Sequence, residues 1–472
     1  MTRACRLIAL VLVCVTATAH ADAVTGWRTD WTGRYVGTSP PLQWTGEKNV
    51  AWSRPLPGAG NATPVLAAGR VFVTAEPFTL LCVDAGDGAV RWQADCGLLE
   101  TLLPADAAAM RTRLDDADAR FREVQQMQND QRQLQRRLKR DPDNADLTRQ
   151  RDDLAARIKE IEDELAPLRD YRPPRTHDSN GYASPTPVTD GRHVYAHFGN
   201  GIAAAFDLDG HRLWTRLVQR PQHEWGHSSS PVLTGGTLVI LVRDLHGLDP
   251  ATGEVKWTTP SRQRWGSPAP ARIGTTDVVI TPNGEIVRTA DGHVLARGIG
   301  SLEYATPVVQ DGIVYFIENT SRAVELPDAL PDDGTVTTRT LWTSQIEGDR
   351  HYASPIIHDG LIYTISRKEN LTVLDAATGA KVYERQVELG GHMPNSAYPS
   401  VTLAGPADDP HLFVSSESGT TVVMKPGREY VEVARNKTPG FRASPVFVDS
   451  RLYLRSFDAL RCITDTRAAA RP

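Results

Sequence analysis

The 472-residue chain lacks the short motifs that usually announce catalysis. It has no G-x-S-x-G nucleophile turn, no H-E-x-x-H zinc pair and no glycine-rich phosphate loop, and this removes the hydrolase, metalloprotease and nucleotide-binding classes built on them. It also has no C-x-x-C spacing, so no cysteine-based metal site is indicated. The sequence therefore nominates no catalytic residue and no metal ligand.

Runs of positive charge and long apolar runs are missing as well. The formal net charge is −5, and no basic segment interrupts the chain, which argues against nucleic acid as a partner. Beyond the N-terminal leader, no apolar run approaches the roughly 18 residues that a transmembrane helix needs. We expect no transmembrane segment.

The first 21 residues have the pattern of a secretory signal peptide. Arg3 and Arg6 precede a short apolar run, and a small-x-small cleavage site ends at residue 21. This predicts a periplasmic or secreted protein. The alternative is a lipoprotein acylated at Cys14, which Val13 disfavours because it is bulkier than the small residue usual before such a cysteine.

Only five cysteines occur, and three remain after the leader: Cys82, Cys96 and Cys462. Cys82 and Cys462 occupy the same position in two repeat units, and the favoured interpretation is that both are buried small apolar residues. A disulfide among the three stays open at this point, because an exported protein meets oxidising conditions.

What the chain has instead is one short motif repeated eight times, a small residue or hydroxyl, then Pro, then an apolar strand. The copies contain Pro64, Pro187, Pro231, the pair Pro268 and Pro270, Pro307, Pro355, Pro399 and Pro445. Most lie roughly 40–45 residues apart, which is the length of a four-stranded propeller blade. Apolar residues alternate or cluster in runs of four to six, as in strands. The sequence predicts an all-β, eight-bladed β-propeller.

One segment between the first and second units departs from the β pattern. It has little Gly, is rich in Arg, Gln, Asp, Leu and Ala, and its apolar residues recur every three or four positions. Pro142 lies in a turn that divides it. We predict an inserted antiparallel α-helical, coiled-coil hairpin whose first arm, of about 35 residues, reaches roughly 50 Å. Two interpretations stay open for it, a solvated decoration or an arm for docking or self-association.

These patterns divide the chain into five parts. They are a signal peptide (1–21), an N-terminal closure segment with the first blade (22–102), the helical hairpin (103–170), the remaining blades (171–465) and a disordered tail (466–472).

Several units close with Asp, a tight turn, Gly and Trp. The best copy runs from Gly247 through Asp249, Thr252 and Gly253 to Trp257. This motif resembles the tryptophan-docking motif of propellers related to pyrroloquinoline quinone (PQQ) enzymes, and the chain looks like a secreted bacterial PQQ-like repeat protein. Physically, the Asp caps turn amides, the Gly accepts positive φ and the Trp packs between blades.

The last unit lacks its own Trp strand, whereas an extra strand containing Trp52 precedes the first unit. A propeller removes its open edge by pairing its first and last segments. We therefore expect the N-terminal strand to complete the last blade.

The resemblance also raises the question of a cofactor. Quinoprotein dehydrogenases use PQQ with calcium and commonly a Cys-Cys ring, and no Cys-Cys pair occurs here. We expect no cofactor, and keep a PQQ-dependent oxidoreductase of the quinoprotein dehydrogenase type as the alternative.

Recognition residues gather just before the Pro motifs, where inner strands begin at one mouth of the channel. The candidate ligand-binding residues are Asn180, His223, Glu224, His227, Arg264, Arg350, His351, His392, Asn395 and Arg442. Rings recur beside them at Trp225, Trp265, Tyr304, Tyr352 and Phe441, where packing between blades is the favoured interpretation. The histidines are favoured as structural rather than metal-binding.

Together these features predict a non-catalytic binding or scaffold protein that holds a protein partner or small ligand at the channel mouth. Similar propellers include the scaffold subunit of the outer-membrane barrel-assembly machinery. The alternatives are the PQQ oxidoreductase and a carbohydrate-binding propeller, the latter suggested by the aromatic and Arg-rich mouth.

Overall fold

Eight antiparallel sheets of four blade strands each form the predicted propeller, in a computed structural model that describes residues 24–331, 334–390 and 397–465. The predicted leader and tail lie outside these ranges. Two strands, β1 (Arg34–Val36) and β2 (Val50–Pro55), precede the first complete blade.

The blade strands run from the channel outward as simple meanders. Blade 1 consists of β3 (Val65–Ala67), β4 (Arg70–Ala75), β5 (Thr79–Asp84) and β6 (Val90–Asp95), and blade 2 of β7 (Val188–Thr189), β8 (His193–His197), β9 (Ile202–Asp207) and β10 (Arg212–Leu217). Blade 3 consists of β11 (Val232–Thr234), β12 (Thr237–Leu241), β13 (Leu245–Leu248) and β14 (Val255–Thr259). Blade 4 consists of β15 (Ala269–Ile273), β16 (Thr276–Ile280), β17 (Ile286–Arg288) and β18 (Val294–Ala296).

The second half of the ring repeats this order. Blade 5 consists of β19 (Val308–Gln310), β20 (Ile313–Phe316), β21 (Thr320–Glu325) and β22 (Arg339–Gln345), and blade 6 of β23 (Ile356–His358), β24 (Leu361–Ile365), β25 (Asn370–Asp375) and β26 (Lys381–Gln386). Blade 7 consists of β27 (Ser400–Gly405), β28 (His411–Ser415), β29 (Thr420–Lys425) and β30 (Val431–Lys437). Blade 8 consists of β31 (Val446–Val448), β32 (Arg451–Arg455) and β33 (Ala459–Thr464), with β2 as its outer strand.

The ring is closed by strands from both ends of the chain, as the sequence predicts. β2 pairs antiparallel with β33, with Val50 opposite Ile463 and Trp52 opposite Cys462. This pairing covers the edge that a three-stranded eighth blade would expose.

Tryptophans on outer strands dock on the next blade, also as predicted. The ring of Trp214 packs over Gly253, which has φ +70°, and its indole N–H donates to the carbonyl of Pro250 at 2.8 Å. Asp249 stabilises that turn by accepting from the backbone N–H of Ala251 at 2.7 Å. The same docking is made by Trp52, Trp92, Trp257 and Trp342.

The N-terminal plug, residues 24–40, lies inside the channel, which the sequence did not predict. β1 pairs in parallel with β27, the innermost strand of blade 7, and Val24 bridges to Leu66 on β3. Arg28 is fully buried there, donating to the carbonyls of Ser354 (2.6 Å), Pro355 (3.0 Å) and Val401 (3.1 Å). The plug therefore ties blades 1, 6 and 7 together along their inner strands, with Arg28 at the start of β23 and β27 and β1 beside the end of β27.

Two helices, α1 (Pro104–Leu138) and α2 (Ala145–Arg169), form the inserted hairpin between blades 1 and 2. Their apolar residues pack against one another, including Val124, Ile158 and Ile161. Arg120 pairs with Glu164 across the two helices at 2.8 Å. The hairpin thus satisfies its apolar seam internally, and both interpretations of it, a solvated decoration or an arm for docking or self-association, stay open.

Cys82, Cys96 and Cys462 are all buried free thiols, so the disulfide left open by the sequence is not formed. Burial raises the pKa of Cys462 to about 11, which keeps its thiol protonated at neutral pH. Within the described ranges, no helix is long and apolar enough to cross a membrane.

Candidate functional site: an aromatic cup at the channel mouth

The channel opens at the end where the inner strands begin, in a cavity of about 400 Å³. We call it the aromatic cup. Its walls are the segments that enter each blade, and its floor includes Trp27 of the N-terminal plug. Because the plug occupies the channel below the cup, a ligand reaches the cup from one face of the propeller.

A ring of hydroxyl groups surrounds the lower part of the cup. Each hydroxyl precedes the Pro of its repeat, lines the cavity and accepts a hydrogen bond from the backbone N–H of the equivalent residue in the preceding blade, at 2.8 to 3.2 Å. The members of this hydroxyl ring are Thr63, Thr186, Ser230, Ser267, Thr306 and Ser354. Blade 7 interrupts the pattern, since Tyr398 precedes its Pro.

A belt of aromatic rings forms the upper wall, passing from blade to blade. Trp265 stacks on Tyr304 at 5.5 Å between centroids, Tyr304 meets Tyr352 edge-on at 5.0 Å, and Tyr352 stacks on Tyr398 at 4.7 Å. Trp225 also lines the cavity and stacks on His177 at 4.0 Å. These rings pack between blades, as the sequence favours, and they also line the cavity. Phe441 is instead buried in the core.

Four of the predicted ligand-binding residues line the cup: Asn180, His223, Arg350 and Arg442. Arg442 donates to the Glu417 carboxylate at 2.8 Å and to the carbonyl of Ser179 at 2.6 Å, and lies over the ring of Tyr398. His223 accepts the N–H of Trp225 at its Nδ1, which leaves its Nε2 as a donor.

The remaining predicted residues lie elsewhere. Glu224 is exposed outside the cup, and the Arg264 side chain is held by Glu303 and by Asn283. His227 and His351 are buried at 0 % and 1 % exposure, so they are packed in the fold rather than presented to a ligand. His392 and Asn395 fall outside the described residues.

The buried histidines stay neutral near pH 7. Burial lowers the pKa of His227 to about 4, and burial with the nearby His227 lowers the pKa of His197. Their rings lie 5.2 Å apart. A charged imidazole at either position would be desolvated, which is why the neutral form is favoured.

The cup does not fit PQQ with calcium. Calcium takes six to eight oxygen ligands, typically including Asp or Glu carboxylates. No described residue lining the cup is acidic, and the described residues contain no group of three or more His, Cys, Asp or Glu suited to a metal ion. The donors present are hydroxyl, amide, guanidinium and imidazole groups.

Sequence reasoning missed two parts of this site. The hydroxyl ring has a signal in the sequence, which is the Ser or Thr before Pro in seven of the eight motifs, but this signal by itself predicts only the number of blades. The N-terminal plug has no such signal, because Arg28 contacts backbone carbonyls and the plug residues carry no repeat pattern.

Comparisons with known proteins agree with the fold. A family model described as outer membrane protein assembly factor BamB matches residues 15–152 and 176–282. BamB from Moraxella catarrhalis is 12 % identical, with a TM-score of 0.52 over 88 % of this chain and 97 % of that one. A quinohemoprotein alcohol dehydrogenase from Pseudomonas putida HK5 is 11 % identical, with a TM-score of 0.55 over 94 % and 80 %.

At these identities the two solved structures show the fold alone. A search of curated proteins gave no significant match. The family model, however, covers more than half of the residues, and with eight blades, docked tryptophans and a closed ring, the chain belongs to the family of the outer membrane protein assembly factor BamB.

Proposed function

We propose that this chain is an exported, non-catalytic scaffold of the cell envelope that holds a protein partner on the face carrying the aromatic cup. The observation that carries this proposal is that the cup and the helical hairpin share one face. The segment that leaves α2 contributes Ser179 and Asn180 to the cup wall. A partner on this face meets both features at once.

The base of the hairpin is fixed to the propeller, so it can present a partner in a defined geometry. Tyr182 donates to the carbonyl of Pro174 at 2.7 Å, and Arg220 donates to the carbonyl of Arg172 at 2.6 Å. A second cavity of about 260 Å³ lies at this base, between the hairpin and the first two blades.

Exposed apolar side chains mark the same face. Leu103, at the start of α1, is 73 % exposed, and Trp225 on the cup rim is 41 % exposed. Large apolar and aromatic side chains of this kind are the usual anchors of protein interfaces.

The chemistry of the cup supports binding over catalysis. Its ring hydroxyls are held by backbone N–H groups, and within the described lining none is hydrogen-bonded to a histidine or carboxylate that would act as a base. The family name, an assembly factor, supports a protein partner in the envelope.

Site-specific photo-cross-linking in the native host tests the proposal. A cross-linkable residue is introduced at Leu103 or Trp225, and, as matched exposed apolar controls on outer strands, at Val255 or Val431. We expect both mouth-face positions to capture the same protein and the outer-strand positions to capture none. With that protein purified, Trp225→Ala should weaken its binding by roughly fivefold or more.

Capture from the outer strands alone, or equal binding of the purified partner to wild type and Trp225→Ala, would contradict a scaffold that uses this face. A dye-linked oxidation assay on the same preparation addresses the oxidoreductase alternative, and substrate-dependent dye reduction would favour it.

A further inference from the structure

The charge around the aromatic cup is unbalanced toward the positive. Two arginines and no carboxylate are among its described lining residues, although the chain as a whole has a net charge of −5. Arg442 is compensated by Glu417 just outside the lining. Arg350 is exposed and makes no ion pair within the described ranges; its contacts are the Tyr352 hydroxyl at 3.2 Å and the face of Tyr304 at 5.7 Å.

The hydroxyl ring adds donors and no negative charge. Each of its six hydroxyls already accepts a backbone N–H, and none donates to a protein acceptor in the described part of the chain. Their hydrogens are therefore available toward the cavity that they line. Such a ring suits a ligand that accepts several hydrogen bonds.

A buried cation lies directly beneath this ring. Arg28 donates to the carbonyl of Ser354, whose own hydroxyl is a member of the hydroxyl ring, and within the described residues it makes no ion pair, although the nearby charge of Asp30 acts on it. Its guanidinium lies 5.2 Å from the Trp27 ring, which forms part of the cup floor. A buried charge is weakly screened, so it adds to the positive potential of the floor.

The walls supply flat apolar surface. Trp265, Tyr304, Tyr352 and Tyr398 form a continuous belt with centroids 4.7 to 5.5 Å apart. A ring-shaped ligand stacks on such faces, and a cavity of about 400 Å³ has the size of a small-molecule site.

We propose that the aromatic cup binds a small organic anion, a carboxylate carried on a ring that stacks against aromatic side chains, without the help of a divalent cation. Arg350 pairs with the carboxylate, the hydroxyl ring donates to it or to neighbouring oxygens, and the belt stacks on the ring. This goes beyond the scaffold function, since it needs no partner protein. Two sources share this chemistry, aromatic acids and uronic acids of sugars.

Calorimetric titration of the purified full chain distinguishes the sources. The probes are 2-naphthoate and digalacturonate, each in excess EDTA, with 2-naphthamide and galactobiose as their neutral counterparts. We expect saturable binding of at least one acid, weakened by added salt and unaffected by EDTA. Binding of 2-naphthoate alone identifies the aromatic source, and binding of digalacturonate alone identifies the sugar source.

The matched variants are Arg350→Gln in the cup and Arg216→Gln on β10, both exposed arginines without ion pairs in the described structure. Arg350→Gln should weaken acid binding about tenfold or more, because it removes a charge-assisted hydrogen bond, whereas Arg216→Gln should bind as wild type. Both variants should melt as wild type does, since neither residue is buried.

The proposal is overturned if neither acid binds at millimolar concentration, if the neutral counterparts bind equally well, if calcium is required, or if Arg350→Gln binds like wild type. None of these outcomes depends on capture of a protein partner, so failure here is separate from failure of the scaffold proposal.

Discussion

The two ends of the propeller channel are built from the same eight repeats and yet differ in what they do. At one end the inner strand of blade 7 finishes beside β1 of the N-terminal plug, and Arg28 of the plug is buried among backbone carbonyls between that end and the cup. At the other end the inner strands begin around an open cup lined by aromatic rings and hydroxyl groups. The difference comes from residues outside the repeat at the closed end and from variable residues before each Pro at the open end. We infer that the closed end serves stability and the open end serves binding.

The largest test of this contrast removes residues 24–57, which takes away the plug, the outer strand of blade 8 and the docked Trp52. We expect the free energy of unfolding to fall by at least about 5 kcal/mol, because buried carbonyls lose their donors and blade 8 gains an open edge. Chemical denaturation monitored by circular dichroism measures this. An unchanged midpoint would show that the closed end contributes no stability.

A narrower test substitutes Arg28 alone. Arg28→Ala leaves three buried carbonyls without their donor and creates a cavity, and we expect a loss of about 4 kcal/mol. Arg216→Ala, at an exposed arginine on β10, serves as the control and should stay within about 0.5 kcal/mol of wild type. Equal denaturation midpoints for the two variants would show that Arg28 does not stabilise the fold.

The smallest expected effect is a pH dependence of stability that comes from His227. Burial lowers the pKa of His227 to about 4 from an ordinary 6.5, whereas Arg28, whose pKa burial lowers to about 10, stays charged throughout this range. Above pH 6.5 His227 is neutral in the folded and unfolded chain. Between about pH 6.5 and pH 4 only the unfolded chain gains the proton, so stability falls on acidification, by about 3 kcal/mol at the lower limit.

Urea denaturation at pH 8, 6 and 4.5 measures that slope. His227→Gln should flatten it, leaving the part due to the other buried histidines, His197 and His351, whose pKa values burial also lowers. Identical slopes for wild type and His227→Gln would mean that acid acts on some other group.

Repetition explains how far the sequence alone predicts the fold. The blade count follows from the eight Pro motifs, the ring closure from the isolated Trp52 strand, and the hairpin from its apolar spacing around Pro142. The Pro motifs and the apolar spacing of the hairpin are periodic signals, and the isolated Trp52 strand is a break in a period. The N-terminal plug has neither, since Arg28 is held by carbonyls, which every residue possesses.

The candidate site was predicted less completely, for a related reason. Arg350 and Arg442 precede inner strands in the sequence, and this position correctly places them at the mouth. The position of a residue in the sequence does not, however, fix the direction of its side chain. His227 and His351 occupy equivalent segments and point into the core instead. Whether any of these residues contacts a ligand stays a prediction.

The pairing of β2 with β33 has a consequence for the order of events in folding. Val50 and Ile463 are opposite one another in the sheet, so the contact that closes the ring joins residues made at nearly opposite times during synthesis. At roughly 5 to 20 residues per second, the N-terminal strand waits on the order of tens of seconds for its partner. Such non-local pairing is slow to form. A chain whose last contact is its longest-range one remains unclosed until translation has nearly finished.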